Sequence, residues 1–282
     1  MRAVLRIALL LSNAALAAAL TACGADGGAP VGARVDGGTS APGTDVDGGL
    51  VADGAASGGD AGAPGTDAGD ILGTLTGSCG LVVPEIAKPA PSLVDNTLTF
   101  APPERYELAA LSPGGQVLHE TPNAGGSSTE SEVMSFEVLR YCEGAALLKT
   151  ETEIQYQPPD DAGANAITDI LVQIGKDKVG VSVTRAYKPP SIPYTDAEAK
   201  SLLEKKLAGV VRSSERVLPA DRWKKQILHV FTATAAQTDA VRRILPTIDP
   251  ALRADTVVLL TRTVGGGFIY CRPAPALGQE CR

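Results

Sequence analysis

The chain has 282 residues, enough for one domain of ordinary size together with additional segments. Aromatic residues make up only 4% of the chain, and the formal net charge is −7. That charge is uneven: residues 1–70 carry three basic and eight acidic residues, which leaves 22 basic and 24 acidic residues for 71–282. The acidity belongs mainly to the N-terminal part, so the overall pI excludes no class of partner for the rest.

Residues 1–22 have the pattern of a secretory signal. Arg2 and Arg6 precede an apolar stretch, Ile7–Leu20, which is short for a bilayer span because a span needs about 20 apolar residues. The following string, Leu20-Thr21-Ala22-Cys23, resembles the bacterial lipobox. This resemblance implies cleavage before Cys23 and lipidation of Cys23, whose acyl chains would anchor the mature chain to a membrane of the cell envelope without a transmembrane span. Gly24 follows the cysteine, and by the same resemblance this favours the outer membrane over the inner.

Residues 23–70 are predicted to form a disordered tether behind the lipidated cysteine. From Gly24 to Asp70 the chain consists almost entirely of Gly, Ala, Asp, Pro, Ser, Thr and Val, with no aromatic residue and no Lys. Such a composition cannot form a core, and a glycine-rich chain is flexible. We therefore expect the globular domain to occupy residues 71–282.

Four cysteines lie in this domain: Cys79, Cys142, Cys271 and Cys281. An even number in an exported domain predicts two disulfides. Three pairings are possible, and we favour Cys79 with Cys271 or Cys281, which would join the two ends of the domain. The spacings do not fit a zinc site, and His119 and His229 are the two histidines of the chain. We interpret His119 as an exposed loop residue and His229 as a hydrogen-bonded core residue.

The elements predicted in the first part of the domain follow hydrophobic periodicity and capping signals. Residues 71–128 are rich in proline and read as irregular chain with one strand at Leu98–Ala101. Thr129 and Glu132 form a capping box that predicts a helix to about Cys142. Alternation then predicts a strand at Leu147–Tyr156. Two further strands, Asp169–Ile174 and Lys178–Ala186, are predicted with a hairpin turn at Gly175-Lys176-Asp177.

The second part alternates helices and strands. Capping boxes at Thr195/Glu198 and Thr234/Gln237 predict two helices, the second of them at Ala235–Leu245. Apolar runs predict strands at Gln226–Thr232 and Thr256–Thr261. The fold class is therefore α/β (α+β mixed): a helix-flanked mixed sheet of αβββαβαβ order after the N-terminal tether.

That order resembles the core of the PD-(D/E)XK, or restriction-endonuclease-like, superfamily over about residues 129–262. The resemblance implies a metal-dependent, nuclease-like phosphodiesterase that uses Mg²⁺. By position, Asp169 matches the metal-binding aspartate that opens the second strand, and Glu137 matches the acidic residue of the first helix.

The third strand departs from the superfamily pattern. Ser182 and Thr184 stand where the acid and the lysine are expected, and hydroxyls supply neither the charge nor the metal affinity of those groups. Arg185 should face the opposite side of the strand. Displaced substitutes are Glu151 or Glu153 on the first strand, with Lys200 or Arg185 as the basic group.

Two functions therefore remain open. One is a nuclease-like domain with a degenerate or relocated metal site; the other is a non-catalytic binding or structural module of the envelope. Between Lys176 and Arg262 there are 16 basic and 9 acidic residues, which favours an anionic partner such as nucleic acid. The scarcity of aromatic residues does not favour recognition of single strands by base stacking.

Overall fold

The computed structural model describes residues 72–102, 104–123, 129–158 and 166–270. The strands are β1 (Thr74–Gly77), β2 (Ser92–Thr99), β3 (Ala146–Thr150), β4 (Ile170–Ile174), β5 (Asp177–Arg185), β6 (Lys225–Thr232) and β7 (Val257–Val264). The helices are α1 (Val82–Ile86), α2 (Pro113–Glu120), α3 (Thr129–Glu143), α4 (Asp196–Arg216), α5 (Ala235–Ile244) and α6 (Pro250–Arg253). The signal, lipidation and tether predictions, including Cys23, lie outside the described residues.

The seven strands form one mixed sheet in the order β1-β2-β7-β6-β5-β4-β3. The four inner strands β2, β7, β6 and β5 are parallel to one another, whereas β1, β4 and β3 pair antiparallel at the two sides. This confirms the mixed α/β class and the predicted αβββαβαβ order over 129–262. In the part of the chain that the structure describes, no helix is long and apolar enough to cross a membrane.

Helices cover both faces of the sheet, and this explains its nearly continuous apolar strands. One core lies beneath α1, α2 and α3 and includes Phe136 and Val181. A second core lies beneath α4 and α5 and includes Leu207 and Leu260. All eight residues of the central strand β6 are buried because it is covered on both sides.

The predicted capping boxes define where the second group of helices begins. The Thr195 side chain accepts a hydrogen bond from the Glu198 backbone N–H at the start of α4, and Glu198 bonds back to the Thr195 N–H. Thr234 and Gln237 form the same reciprocal pair at the start of α5. Each pair satisfies N–H groups that have no acceptor within the helix, so the helices begin at these positions.

The prediction for residues 71–128 was wrong in most of its detail. The strand begins at Ser92 rather than Leu98, and the region also contains β1, α1 and α2. Strand β2 is hard to recognise in the sequence because Asn96 is a polar residue at a buried position. In the structure Asn96 accepts a hydrogen bond from Thr261 Oγ1 at 2.7 Å. Helix α2 is hard to recognise because it contains Gly114, a residue type that does not favour helices. A Cβ atom at this position would lie 2.5 Å from the Phe136 ring, so close packing requires glycine here.

The strand predicted at Leu147–Tyr156 is also too long, because β3 ends at Thr150. The Glu153 carboxylate accepts hydrogen bonds from the Thr150 backbone N–H at 2.8 Å and from its hydroxyl at 3.0 Å. These bonds fold Glu151–Glu153 into a single 3-10 turn. The alternating pattern therefore continues in the sequence beyond the point at which the chain leaves the sheet.

Two assignments in the first helical layer need correction. Cys79 is bonded to Cys142 and not to Cys271 or Cys281, which lie outside the described residues. The pairing follows from α3, which returns Cys142 to the loop after β1; there Glu143 also accepts hydrogen bonds from the backbone N–H groups of Gly80 and Val83. His119 lies in α2, half-buried, with Nδ1 3.0 Å from the Tyr106 hydroxyl, and is not an exposed loop residue.

Candidate functional site

Asp169 and Lys206 both contact the backbone of one residue of β5, Val183. The Val183 backbone N–H donates to the Asp169 carboxylate, which precedes β4. Lys206, on α4, places its ammonium nitrogen 3.3 Å from the Val183 carbonyl oxygen. A carboxylate and an ammonium from different elements therefore lie next to each other at Val183, the residue between Ser182 and Thr184.

The surroundings of Asp169 favour its protonated form. Burial raises the pKa of this carboxyl to about 7. The negative charges of Glu132 and Glu151 act in the same direction, whereas the Lys206 ammonium and the bond from Val183 oppose the rise. The carboxyl therefore exchanges a proton near neutral pH, which a general acid or base requires.

Glu132 lies at the start of α3 and is buried. Its Oε1 atom accepts a hydrogen bond from the Asn123 side-chain amide at 2.9 Å. Glu151 lies in the turn after β3. Glu132 from α3 and Glu151 from the turn after β3 therefore both act electrostatically on Asp169, which precedes β4.

The Ser182 side chain belongs to a buried polar network between the sheet and α4. Its hydroxyl lies 3.3 Å from Gln226 Oε1. The Gln226 amide donates in turn to Thr168 Oγ1 at 3.1 Å and to Ser213 Oγ at 2.7 Å. These bonds satisfy the polar groups that the strand buries, so the position that matches the superfamily's acid serves the packing of α4.

Glu137 and Glu153, two of the acidic residues predicted for the site, are engaged elsewhere. Glu137 Oε1 accepts from the Ser112 N–H at 2.9 Å, and its Oε2 from Arg140 Nε at 3.0 Å, so this carboxylate joins α3 to the start of α2. Glu153 closes the turn after β3.

The predicted basic residues also have other contacts. Lys200 is exposed on α4, with its nitrogen 3.9 Å from a Glu204 carboxylate oxygen. Arg185 donates to the Ile269 carbonyl at 3.3 Å. The structure therefore brings Glu132 and Lys206 to Asp169, together with Glu151 from the predicted set.

His229 is a core residue, as predicted. Its Nδ1 lies 2.8 Å from Ser135 Oγ and its Nε2 lies 2.7 Å from Thr261 Oγ1. Because the Thr261 hydroxyl donates to Asn96, it accepts from the ring, so His229 carries its proton on Nε2. Burial lowers the pKa of this imidazole to about 3, and the ring is neutral at physiological pH.

We tested the fit of Mg²⁺ from the arrangement of its donors. Carboxylate oxygens are the right donor type. However, among residues 72–102, 104–123, 129–158 and 166–270, no group of three or more His, Cys, Asp or Glu side chains is placed to hold a metal ion. The arrangement of the described side chains therefore does not fit a bound Mg²⁺ ion.

Sequence reasoning missed Glu132 and Lys206 for a definite reason. Eight consecutive residues of α3, from Glu132 to Leu139, are buried, so periodicity does not distinguish Glu132 from Glu137. Glu132 had been assigned only to the capping box. Lys206 follows Lys205, and such a pair is typical of a solvated surface, although Lys206 lies one residue from Leu207, which is fully buried. A lysine beside the apolar stripe of a helix was the available signal.

Comparisons with known proteins do not assign the chain to a family. No protein-family model matches it. It is 41% identical over 167 residues to the AAC-rich mRNA clone AAC4 protein of Dictyostelium discoideum; the match covers 57% of this chain and 24% of that protein, so the chain spans about a quarter of its curated relative. Among solved structures, SfsA of Pyrococcus furiosus in complex with Ca²⁺ matches 52% of this chain and 70% of its own, with 14% identity. Its TM-score is 0.28, too low to establish a common fold.

Proposed function

We propose that this protein is an exported lipoprotein, anchored to the cell envelope through Cys23, whose α/β domain hydrolyses phosphodiesters at a relocated site around Asp169. The observation that carries the proposal is that Asp169 and Lys206 both bind the backbone of Val183, Asp169 at its N–H and Lys206 at its carbonyl oxygen. It places a proton-exchanging carboxyl and a cation side by side, next to the positions where this chain has Ser182 and Thr184 in place of the acid and the lysine of the superfamily pattern.

The chemistry uses these two groups in different ways. Asp169 accepts a proton from the water that attacks the phosphorus atom, which its pKa of about 7 allows near neutral pH; the ester P–O bond breaks, and the leaving oxygen takes a proton from solvent water. Lys206 offsets the negative charge that develops on the phosphate, because an ammonium held in place stabilises such charge without reorganisation. Glu132 and Glu151 act through Asp169, since their negative charges help to hold its pKa near neutrality.

The test is cleavage of DNA and RNA by the purified chain, with Mg²⁺, with Mn²⁺ and with a chelator. We expect cleavage that falls by about 100-fold or more in Asp169→Asn, as is typical for the loss of a general base. Lys206→Met should cause a similar loss. Lys200→Met is the matched control, because Lys200 lies on the same helix, exposed, and should leave cleavage unchanged.

Two results would reject the phosphodiesterase. One is the absence of cleavage under all three conditions by a folded protein. The other is cleavage that survives Asp169→Asn, because the activity would then come from another site or from a contaminant.

A second function, a non-catalytic envelope module that binds an anionic polymer, is favoured by the Ser182–Gln226 network. There a position that carries charge in the superfamily contributes only to packing. The excess of basic residues between Lys176 and Arg262 suits such a partner. Nucleic-acid binding without cleavage, weakened by salt and unaffected by Asp169→Asn, would support this second function.

A further inference from the structure

Three polar side chains form a row across the other half of the sheet. Thr76 on β1 pairs in register with Thr97 on β2, and Thr97 pairs with Arg262 on β7. Neighbouring strands lie about 4.8 Å apart, and side chains at paired positions share a face. Two hydroxyls and a guanidinium are therefore aligned on the face that α5 partly covers.

The Arg262 side chain is half-buried, and its Nε atom is buried without a hydrogen-bond partner among the described residues. Asp95, Asp239 and Arg242 line the same cavity, and they pair with one another: Arg242 binds Asp95 at 3.2 Å and Asp239 at 2.9 Å. A buried donor without an acceptor is costly, so this site is incomplete as it stands.

The row lines a polar cavity of about 190 Å³. Liquid water occupies about 30 Å³ per molecule, so a group several times larger than water fits the cavity. Ala235, the first residue of α5, also lines it. The first N–H groups of a helix lack acceptors within it, and α5, with ten residues, contributes a partial positive charge at this end.

We infer that this cavity binds a phosphate group, either as inorganic phosphate or as a phosphomonoester. The Arg262 guanidinium donates to the phosphate oxygens, and the Thr76 and Thr97 hydroxyls supply further donors from the same row. An arginine fork matches phosphate geometry, and a tetrahedral group can accept from several directions at once. The site is distinct from Asp169, because it lies on β1, β2 and β7 whereas Asp169 precedes β4.

Thermal unfolding of the full chain tests this inference. At pH 7.5 and constant ionic strength, we expect inorganic phosphate, but not chloride, to raise the melting temperature in a concentration-dependent way. Arg262→Met should abolish this shift. Without phosphate the same variant should melt no lower than the wild type, because methionine removes a buried N–H group that has no acceptor. Arg212→Met, which alters an exposed arginine of α4, is the control and should retain the shift.

Calorimetric titration with Thr97→Val provides an independent reading that does not depend on the fold of the arginine variant. Loss of one hydroxyl from the row should weaken phosphate binding by about tenfold. Glycerol 3-phosphate in place of inorganic phosphate distinguishes the sources: tighter binding of the ester identifies a phosphomonoester site. The inference is overturned if neither compound binds the wild type, if the melting shift persists in Arg262→Met, or if Thr97→Val binds phosphate as tightly as the wild type.

Discussion

His229 lies at the centre of the sheet with both ring nitrogens bonded and no charge. Its neighbours Ser135 and Thr261 fix the position of the proton, and the ring stacks on Phe231 with centroids 4.2 Å apart. A second proton would place a positive charge in a fully buried position. The imidazole is therefore part of the packing, and its effect on the molecule is an effect on stability.

We expect His229 to make the protein less stable in mild acid. Its pKa is about 3 when folded and about 6.5 when unfolded, so protons bind on unfolding. Its stabilising effect is complete above pH 6.5 and is lost as the pH falls towards 3. Between pH 7 and pH 5 the free energy of unfolding should fall by about 2 kcal/mol more in the wild type than in His229→Gln, measured by urea denaturation.

Asp169 titrates in the same pH range, but because its pKa is raised in the folded protein, it makes the protein more stable as the pH falls. The contribution of His229 is therefore obtained only from the difference between the wild type and His229→Gln. Equal pH dependence in the wild type and in His229→Gln would contradict the assignment of a neutral, buried ring. Ring nitrogen shifts in an NMR titration provide the direct check, and we expect them to stay constant down to pH 5.

Among the elements, α1 and the end of α3 are joined twice. The Cys79–Cys142 disulfide closes a loop with a sequence separation of 63 residues. Beside it, the Glu143 carboxylate accepts hydrogen bonds from the backbone N–H groups of Gly80 and Val83, at the start of α1. A covalent bond and a helix cap therefore hold the same junction between the N-terminal segment and the largest helix on that face.

Removal of the disulfide should destabilise the domain substantially. We expect the double variant Cys79→Ser/Cys142→Ser to lose about 2–4 kcal/mol of unfolding free energy, because a loop of this length gains much chain entropy when unfolded and open. Denaturant titration measures the loss. Glu143→Gln, which leaves the disulfide intact, should cost less, and a double variant as stable as the wild type would contradict the structural role.

The sequence predicts elements where local signals and tertiary structure agree. Thr195/Glu198 and Thr234/Gln237 are local bonds, visible as spacing, so the start of α4 and α5 could be predicted from residues alone. Strand β2 could not, because Asn96 is satisfied by Thr261, which is 165 residues away. Lys206 could not be placed at the site for the same reason: its contact with Val183 depends on how α4 lies on the sheet.

At the scale of the whole molecule, the predicted anchor can be tested separately from the domain. The wild-type protein, expressed in a bacterium with a lipoprotein-processing pathway, should partition into the detergent phase of a Triton extraction because acyl chains on Cys23 are buried there. Cys23→Ser should move it to the aqueous phase. Cleavage and phosphate binding are measured on the same variant, which should retain both. Aqueous partition of the wild type would reject the anchor.

The disulfide also determines which part of the domain resists a mechanical pull. Among the described strands, β1 pairs only with β2, and Cys79 follows β1 by two residues. Tension applied to the chain before Thr74 would peel off β1 and then pass through Cys79 directly into the last turn of α3. Helix α1 and strand β2 would bear none of it. Unfolding under tension would then pull on Glu143 and detach β3 from β4, because residues 80–141, which include α1, β2 and most of α3, lie inside the loop that the disulfide closes. In a reducing environment the same pull would instead continue along the chain and strip β2 from β7.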